Sequence, residues 1–162
     1  MELTIVIPPE RVKLPLQAWN WIRLEGKEPI LVSAFGDVFV EDNSGVWFLD
    51  TLEGKLERVC DGRSELDGIL SSEEGANHYL LAWLARAAAG AGLVPKDGQC
   101  YDFKVPPVLG GKVELENLQV MDFMVSLDIS GQIHQKARQM QPGTRVSSVV
   151  IKDDKKPWWK VW

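Results

Sequence analysis

Apolar and polar positions are patterned most clearly between residues 29 and 60, and that stretch sets the expected architecture. Pro29-Ile-Leu-Val-Ser-Ala-Phe reads as a buried strand, Asp37-Val-Phe-Val-Glu as a second and Val46-Trp-Phe-Leu-Asp as a third. Asp42-Asn-Ser-Gly supplies the hairpin turn, since Asn and Gly tolerate the backbone conformations that tight hairpins require. Thr51-Leu-Glu-Gly turns the chain again into Lys55-Leu-Glu-Arg-Val-Cys, so residues 30–60 are predicted to form a four-stranded antiparallel meander. Ahead of it, Glu2–Ile7 alternates weakly and reads as a short edge strand closed by Pro8 and Pro9. Pro15 suits the first turn of a helix on which Leu14, Ala18 and Ile22 recur every four residues. That helix carries Trp19 and Trp21 and is expected to stop near Gly26, before Pro29.

The period then changes to that of helices. Arg63–Leu70 reads as a short helix, and Ser71-Ser-Glu-Glu is a capping signature for a longer one from about Glu74 to Ala89, on which Tyr79, Leu80, Trp83, Leu84 and Ala87 share helical spacing. After a Pro-Pro/Gly-Gly connection, a strand is expected around Leu118–Met121. Asp122 then caps a helix with Val125, Ile129, Ile133, Ala137 and Met140 as its apolar stripe. Gly131 inside that helix costs about 1 kcal/mol relative to Ala, which implies close packing there against another element. Pro142-Gly143 ends the helix, and Thr144–Lys152 reads as a last strand. Strands cluster first and helices follow, without regular βαβ alternation. The predicted class is therefore α+β, an antiparallel sheet of four to six strands with helices packed mainly on one face.

At 162 residues and 45% hydrophobic content the chain is the size of one domain and buries a core without disulfides or metal. The expected organisation is a single α+β domain over residues 1–146 and a basic, Trp-rich tail over 147–162. Cys60 and Cys100 have neither Cys-x-x-Cys nor metal-ligand spacing and read as reduced, buried thiols. The first residues lack a basic n-region, and their apolar run is too short for a signal peptide or a membrane span, so a cytoplasmic protein is expected.

The net charge of −5 is unevenly placed. Residues 36–75 carry the acids Asp37, Glu41, Asp42, Asp50, Glu53, Glu57, Asp61, Glu65, Asp67, Glu73 and Glu74, against the bases Lys55, Arg58 and Arg63. The tail is basic and ends in Lys-Lys-Pro-Trp-Trp-Lys-Val-Trp. An acidic body disfavours nucleic acid, whose phosphates need clustered Lys and Arg, and suits a basic protein partner. Asp37, Glu41, Asp42, Asp50 and Glu53 are the candidate partner-binding acids. Trp158, Trp159 and Trp162 join them, because three large apolar groups beside Pro157 dock on the body, a partner or a membrane surface. Too few bases accompany them for stable membrane anchoring.

No residue pattern specifies catalysis. His134 and His78 are the only histidines. His134, one residue past Ile133, is the candidate general base, yet no Ser, Cys or acid stands at triad spacing, and a structural histidine is the competing reading. Gly110-Gly111 lacks the flanking pattern of a phosphate loop and reads as a structural turn rather than a phosphate cradle. The acids match no calcium loop, so neither a metal nor a cofactor is expected.

The run Gln99–Val120 is built for shape, because its prolines stiffen the chain and Gly110-Gly111 bends it. Together, Ser33-Ala-Phe-Gly-Asp-Val-Phe, Val46-Trp-Phe-Leu-Asp-Thr, Gly98-Gln-Cys-Tyr-Asp-Phe-Lys-Val-Pro-Pro-Val-Leu-Gly-Gly and Gly131-Gln-Ile-His resemble the C-terminal domain of type VI secretion DNase immunity proteins, over about residues 30–146. That family is similar in style to the SUKH (Smi and Knr-like) immunity superfamily. The resemblance implies a non-enzymatic α+β protein that neutralises a cognate toxin, possibly a nuclease, by binding it in the cytoplasm, without a cofactor and without catalytic residues. The alternative is a small hydrolase or ligand-binding protein using His134 or the Gly110-Gly111 loop.

Overall fold

The computed structural model describes residues 2–140 and 143–146. Strand β1 (Thr4–Ile5) leads through helix α1 (Pro9–Leu16) and a 3-10 turn at Gln17–Trp19 into β2 (Glu28–Ser33), β3 (Val38–Asp42), β4 (Gly45–Asp50) and β5 (Lys55–Cys60). These strands form one antiparallel sheet in sequence order. Helices α2 (Arg63–Ser71), α3 (Glu73–Leu80) and α4 (Ala82–Gly90) follow. Strands β6 (Gln99–Phe103) and β7 (Leu118–Asp122) then pair as a separate ribbon, and α5 (Phe123–Ala137) comes last. The class is α+β, and the meander over residues 30–60 forms as its apolar runs and turn residues predict. At its hairpin, Asp42 Oδ1 accepts from the Ser44 N–H at 2.9 Å, which fixes the turn between Asp42 and Gly45.

Alternation along β3 decides how the layers stack. Val38 and Val40 join Val12, Leu16, Trp19, Phe123 and Leu127 on one side of the sheet. Phe39, on the other side, meets Phe48, Leu66 and Leu80. The helices, expected mainly on one face, therefore divide between the two, with α1 and α5 on one and α2 and α3 on the other. A third cluster of Phe35, Leu84, Ala85, Tyr101, Phe103 and Leu118 joins α4 to the β6–β7 ribbon. The Tyr101 N–H donates to the Ala34 carbonyl at 2.8 Å and ties that ribbon to the main sheet.

Four local expectations give way. Helix α1 begins at Pro9 rather than Pro15, because Pro9 stands where a missing N–H is harmless and Val12, Leu16 and Trp19 form the buried stripe. Pro15 sits inside the helix, and the chain tightens into the 3-10 turn directly after it. The single helix expected over 74–89 breaks at Leu81, whose φ is +46°. The break turns Leu80 into the Phe39 cluster and Leu84 into the Phe35 cluster, two cores that one straight helix cannot serve. Residues 99–103, read as part of a connection, form β6, which pairs with β7 throughout.

The fourth concerns α5. Asp122 caps it as predicted, its Oδ1 accepting from the Val125 N–H at 3.1 Å. The buried line, however, is Phe123, Leu127, Gly131 and His134; of the expected stripe only Ile133 is buried. The rotation follows from Gly131, where an added Cβ would lie 2.8 Å from the Ala18 carbonyl oxygen. That approach lets the Trp19 indole N–H donate to the Leu127 carbonyl at 2.9 Å and the Trp21 indole N–H to the Gly131 carbonyl at 3.2 Å. Close packing at Gly131 is thus present as its cost implied. Most of the strand expected at Thr144–Lys152 lies outside the described residues, as does the tail.

Gly131→Ala tests the joint. On an exposed helix the change would gain about 1 kcal/mol; here overpacking against Ala18 should cost about 1–3 kcal/mol instead. Urea denaturation reads the sign, and a stabilised variant would contradict the close approach.

Candidate functional site

The turn from β2 to β3 encloses a polar knot. The Ser33 N–H donates to the Asp37 carbonyl at 2.9 Å, and the Ser33 hydroxyl donates to Asp37 Oδ2 at 3.0 Å while accepting the Asp37 N–H at 3.1 Å. Asp37 Oδ1 accepts from the Thr51 N–H at 2.9 Å and the Thr51 hydroxyl at 2.7 Å. The Thr51 carbonyl in turn meets His134 Nε2 at 2.7 Å. One continuous chain of hydrogen bonds therefore runs from β2 through the start of β3 and the end of β4 to α5. Burial, with the nearby charge of Asp50, pushes the Asp37 carboxyl up to about 7 against the pull of its hydroxyl and amide donors.

His134 is a structural histidine in this arrangement. A carbonyl oxygen only accepts, so Nε2 carries the proton. Nδ1 faces the Gly54 backbone, where an added Cβ would lie 2.4 Å away. Burial lowers its pKa, favouring the neutral ring. No Ser, Thr or Cys side chain among the described residues is hydrogen-bonded to it. The Ser130 hydroxyl donates to the Leu127 carbonyl at 3.0 Å, and Ser126 is bonded to Asp102 and Cys100. His78 packs edge-on against Tyr79, away from this group. Burial raises the Asp102 carboxyl as well. Asp37, Asp102, Ser126 and His134 share a crevice of about 60 Å³ walled by Phe35, Phe103 and the prolines, room for a few waters.

The Gly110-Gly111 loop is closed on itself. The Gly110 N–H donates to the Pro107 carbonyl and the Gly111 N–H to the Pro106 carbonyl, at 2.9 and 3.1 Å. The Asn117 side chain clamps the loop, donating to the Val105 and Lys112 carbonyls at 2.9 and 2.8 Å. Both glycine amides are engaged within the loop, as a structural turn requires. Among the described residues no cluster of His, Cys, Asp and Glu has the makings of a metal site.

The candidate acids are not brought together. Asp37 and Asp50 lie at one end of the β3–β4 pair, Glu41 and Asp42 at the other. Asp37 is only 5% exposed and turned inward. Asp50 accepts from the Leu52 and Glu53 N–H groups, and burial raises its pKa. Asp42 accepts from Ser44 and pairs with Lys27 at 2.9 Å, which together hold its carboxyl well below the usual range. Glu41 pairs with Arg63 at 2.9 Å, and Glu53 with Lys55 at 2.9 Å. Trp158, Trp159 and Trp162 lie outside the described residues. Much of the acidic sector's strand half is thus neutralised by nearby bases. The helical half differs: Glu65, Asp67, Glu73 and Glu74 are exposed, and none pairs with a base among the described residues.

Comparison with known families resolves the setting of that helical half. Residues 61–134 match the family model of T6SS immunity protein Tdi1, C-terminal. That segment, a little under half of the chain, supports the type VI secretion immunity family expected from the sequence. The Tdi1 C-terminal match runs from the start of α2 into α5 and includes the Pro-Pro/Gly-Gly loop and Gly131-Gln-Ile-His, while the meander lies before it. No curated protein matches the chain. Among solved structures, the crystal structure of Atu4351 from Agrobacterium tumefaciens is similar, with 17% identity and a TM-score of 0.47, over 79% of this chain and 65% of that one. This chain thus spans less than two thirds of that chain's length. No helix among the described residues is long and apolar enough to cross a membrane.

Sequence reasoning missed Ser33, Thr51 and Asn117 as the residues that fix these turns: Thr51 and Asn117 bond to residues far from them along the chain, and Ser33 acts within its own turn through Asp37. Their central carboxyl gives a pH test. Asp37 has its pKa raised from 3.8 to about 7, so the folded chain holds that proton where the unfolded chain has lost it. The stability it contributes is full below pH 4 and is lost as pH rises through 7. Asp37→Asn cannot titrate, so wild type should lose at least about 1 kcal/mol relative to the variant between pH 4 and pH 7.5. A constant difference in chemical denaturation across that range would show that the carboxyl ionises normally.

Proposed function

We propose that this chain is a non-enzymatic immunity protein that binds and neutralises a cognate secreted bacterial toxin in the cytoplasm. The match of residues 61–134 to an immunity-protein family carries the reading. The engaged state of His134 and of the glycine loop supports a binding role over hydrolysis. We take residues 1–146 as the binding unit and 147–162 as its appendage.

We infer further that the toxin is a nuclease with a basic surface. An enzyme that cleaves nucleic acid gathers positive charge to hold phosphates, and carboxylates presented to that surface speed association and occupy the site. The acids Glu65, Asp67, Glu73 and Glu74, which have no ion-pair partner among the described residues, lie inside the matched segment and are better placed for this than the strand acids, although Glu65 also accepts from the Asp61 N–H at 3.0 Å. Helices α2 and α3 are also held rigidly to each other: a Cβ at Gly75 would lie 2.0 Å from the Ile69 carbonyl oxygen.

Isothermal titration against the catalytic domain of the toxin encoded beside the gene should give nanomolar binding with loss of toxin activity. Changing Glu65, Asp67, Glu73 and Glu74 together to Lys should slow association about tenfold or more at low salt and flatten its salt dependence. Absence of binding at tens of micromolar contradicts the immunity reading for that toxin. Tight binding with unchanged association in the variant leaves immunity standing and removes the α2–α3 acids from the interface.

A further inference from the structure

A second cleft, on the face of the sheet that α1 and α5 cover, has the opposite character from the chain as a whole. It encloses about 800 Å³, within the range of small-molecule sites, and is lined by Arg23, Lys27, Lys55 and Arg138 with Trp21 and Trp47, and by no carboxylate. In a chain of net charge −5, a cleft lined by four cations stands apart.

The four cations are not equivalent. Lys27 stands 4.6 Å from the centre of the Trp47 ring and pairs with Asp42 at 2.9 Å. Lys55 lies between Glu53 and Glu57, at 2.9 and 3.1 Å. Arg23 and Arg138 have no carboxylate partner among the described residues. Arg138 is nevertheless held in place, its guanidinium 4.9 Å from the centre of the Trp21 ring. Trp21 is itself fixed: it stacks on Trp19 at 5.5 Å, and its indole N–H donates to the Ala18 and Gly131 carbonyls. Arg23 has a φ of +52°, a conformation that side-chain-bearing residues rarely adopt. Such strain persists where surrounding structure enforces it and gathers at binding sites.

We propose that this cleft is an oxyanion site that takes a small organic polyanion, a phosphate ester or a polycarboxylate, on the guanidinium groups of Arg23 and Arg138. A guanidinium presents paired N–H donors that match the spacing of two oxygens on a phosphate or carboxylate group. Two such groups without a carboxylate partner among the described residues can take the ligand's charge, while Lys27 and Lys55 line the cleft from ion-paired positions. The Trp21 and Trp47 rings, with Ile22 and Leu56, give the ligand's carbon body an apolar wall. The site uses none of the α2–α3 acids and stands independently of the toxin reading.

The test is titration calorimetry of the full chain at low salt with pyrophosphate, ATP and citrate as separate probes. At least one should bind with a Kd below about 1 mM, and Arg23→Gly and Arg138→Gln should each weaken it about tenfold. Gly suits the φ of position 23, so that variant removes the guanidinium while relieving the backbone. Lys96→Ala, remote from the cleft, should bind as wild type does. Binding of pyrophosphate and ATP without citrate assigns the site to phosphates; binding of citrate alone assigns it to polycarboxylates. No binding of any probe at 10 mM, or equal binding by both arginine variants and wild type, overturns the proposal.

Discussion

The close seating of α5 on the 3-10 turn at Gln17–Trp19 is the constraint on which the arrangement depends. Gly131 permits it, because a side chain there would meet the Ala18 backbone. Once the two segments touch, the indole N–H groups of Trp19 and Trp21 find carbonyl partners on α5, and large aromatic groups are buried without orphaned donors. The same seating places His134 against Thr51 and Arg138 over Trp21. One missing methyl group thereby sets the geometry of the helix from Leu127 to Arg138.

A second joint works through hydrogen bonds. Asp37 gathers three donors from Ser33 and Thr51, and Thr51 passes the connection to α5. A carboxyl this buried is costly to ionise, and its neighbours offset part of that cost. The arrangement locks the turns, and its polar groups are engaged by one another. Charge is sorted in parallel. Several strand acids are neutralised by nearby bases, the α2–α3 acids stand open, and two arginines face a cleft of their own. A count of charges along the sequence merges the first two populations into one acidic sector and does not bring Arg23 and Arg138 together at all.

The meander was legible because its strands are short runs rich in β-branched and aromatic residues and its turns carry Asn, Asp and Gly. The capping role of Asp122 and the tight packing at Gly131 were legible for the same reason: one local residue choice has one physical meaning. Leu81 was not, since its left-handed conformation serves two separate cores, and no local pattern announces a choice made by tertiary packing. The stripe on α5 was misplaced because Val125 and Ile129 repeat as regularly as Phe123 and Leu127, and only contact with Ala18 decides which line faces inward. Of the candidate acids, sequence proximity grouped Asp37 with Glu41 and Asp42, although the strand carries them to opposite ends of the sheet. The family resemblance was legible from motifs spread over residues 30–146, and the family match falls on 61–134, where the Pro-Pro/Gly-Gly run lies.

A rigid scaffold, internally engaged polar groups and an immunity-family segment fit a protein that acts by covering another protein's surface. Survival of cells is the most direct measurement of that claim. The toxin encoded beside the gene would be produced in the bacterial cytoplasm with and without this chain, and colony counts compared. Cells producing both are expected to survive as cells producing neither do. Equal killing in the presence of the folded, abundant chain would contradict it.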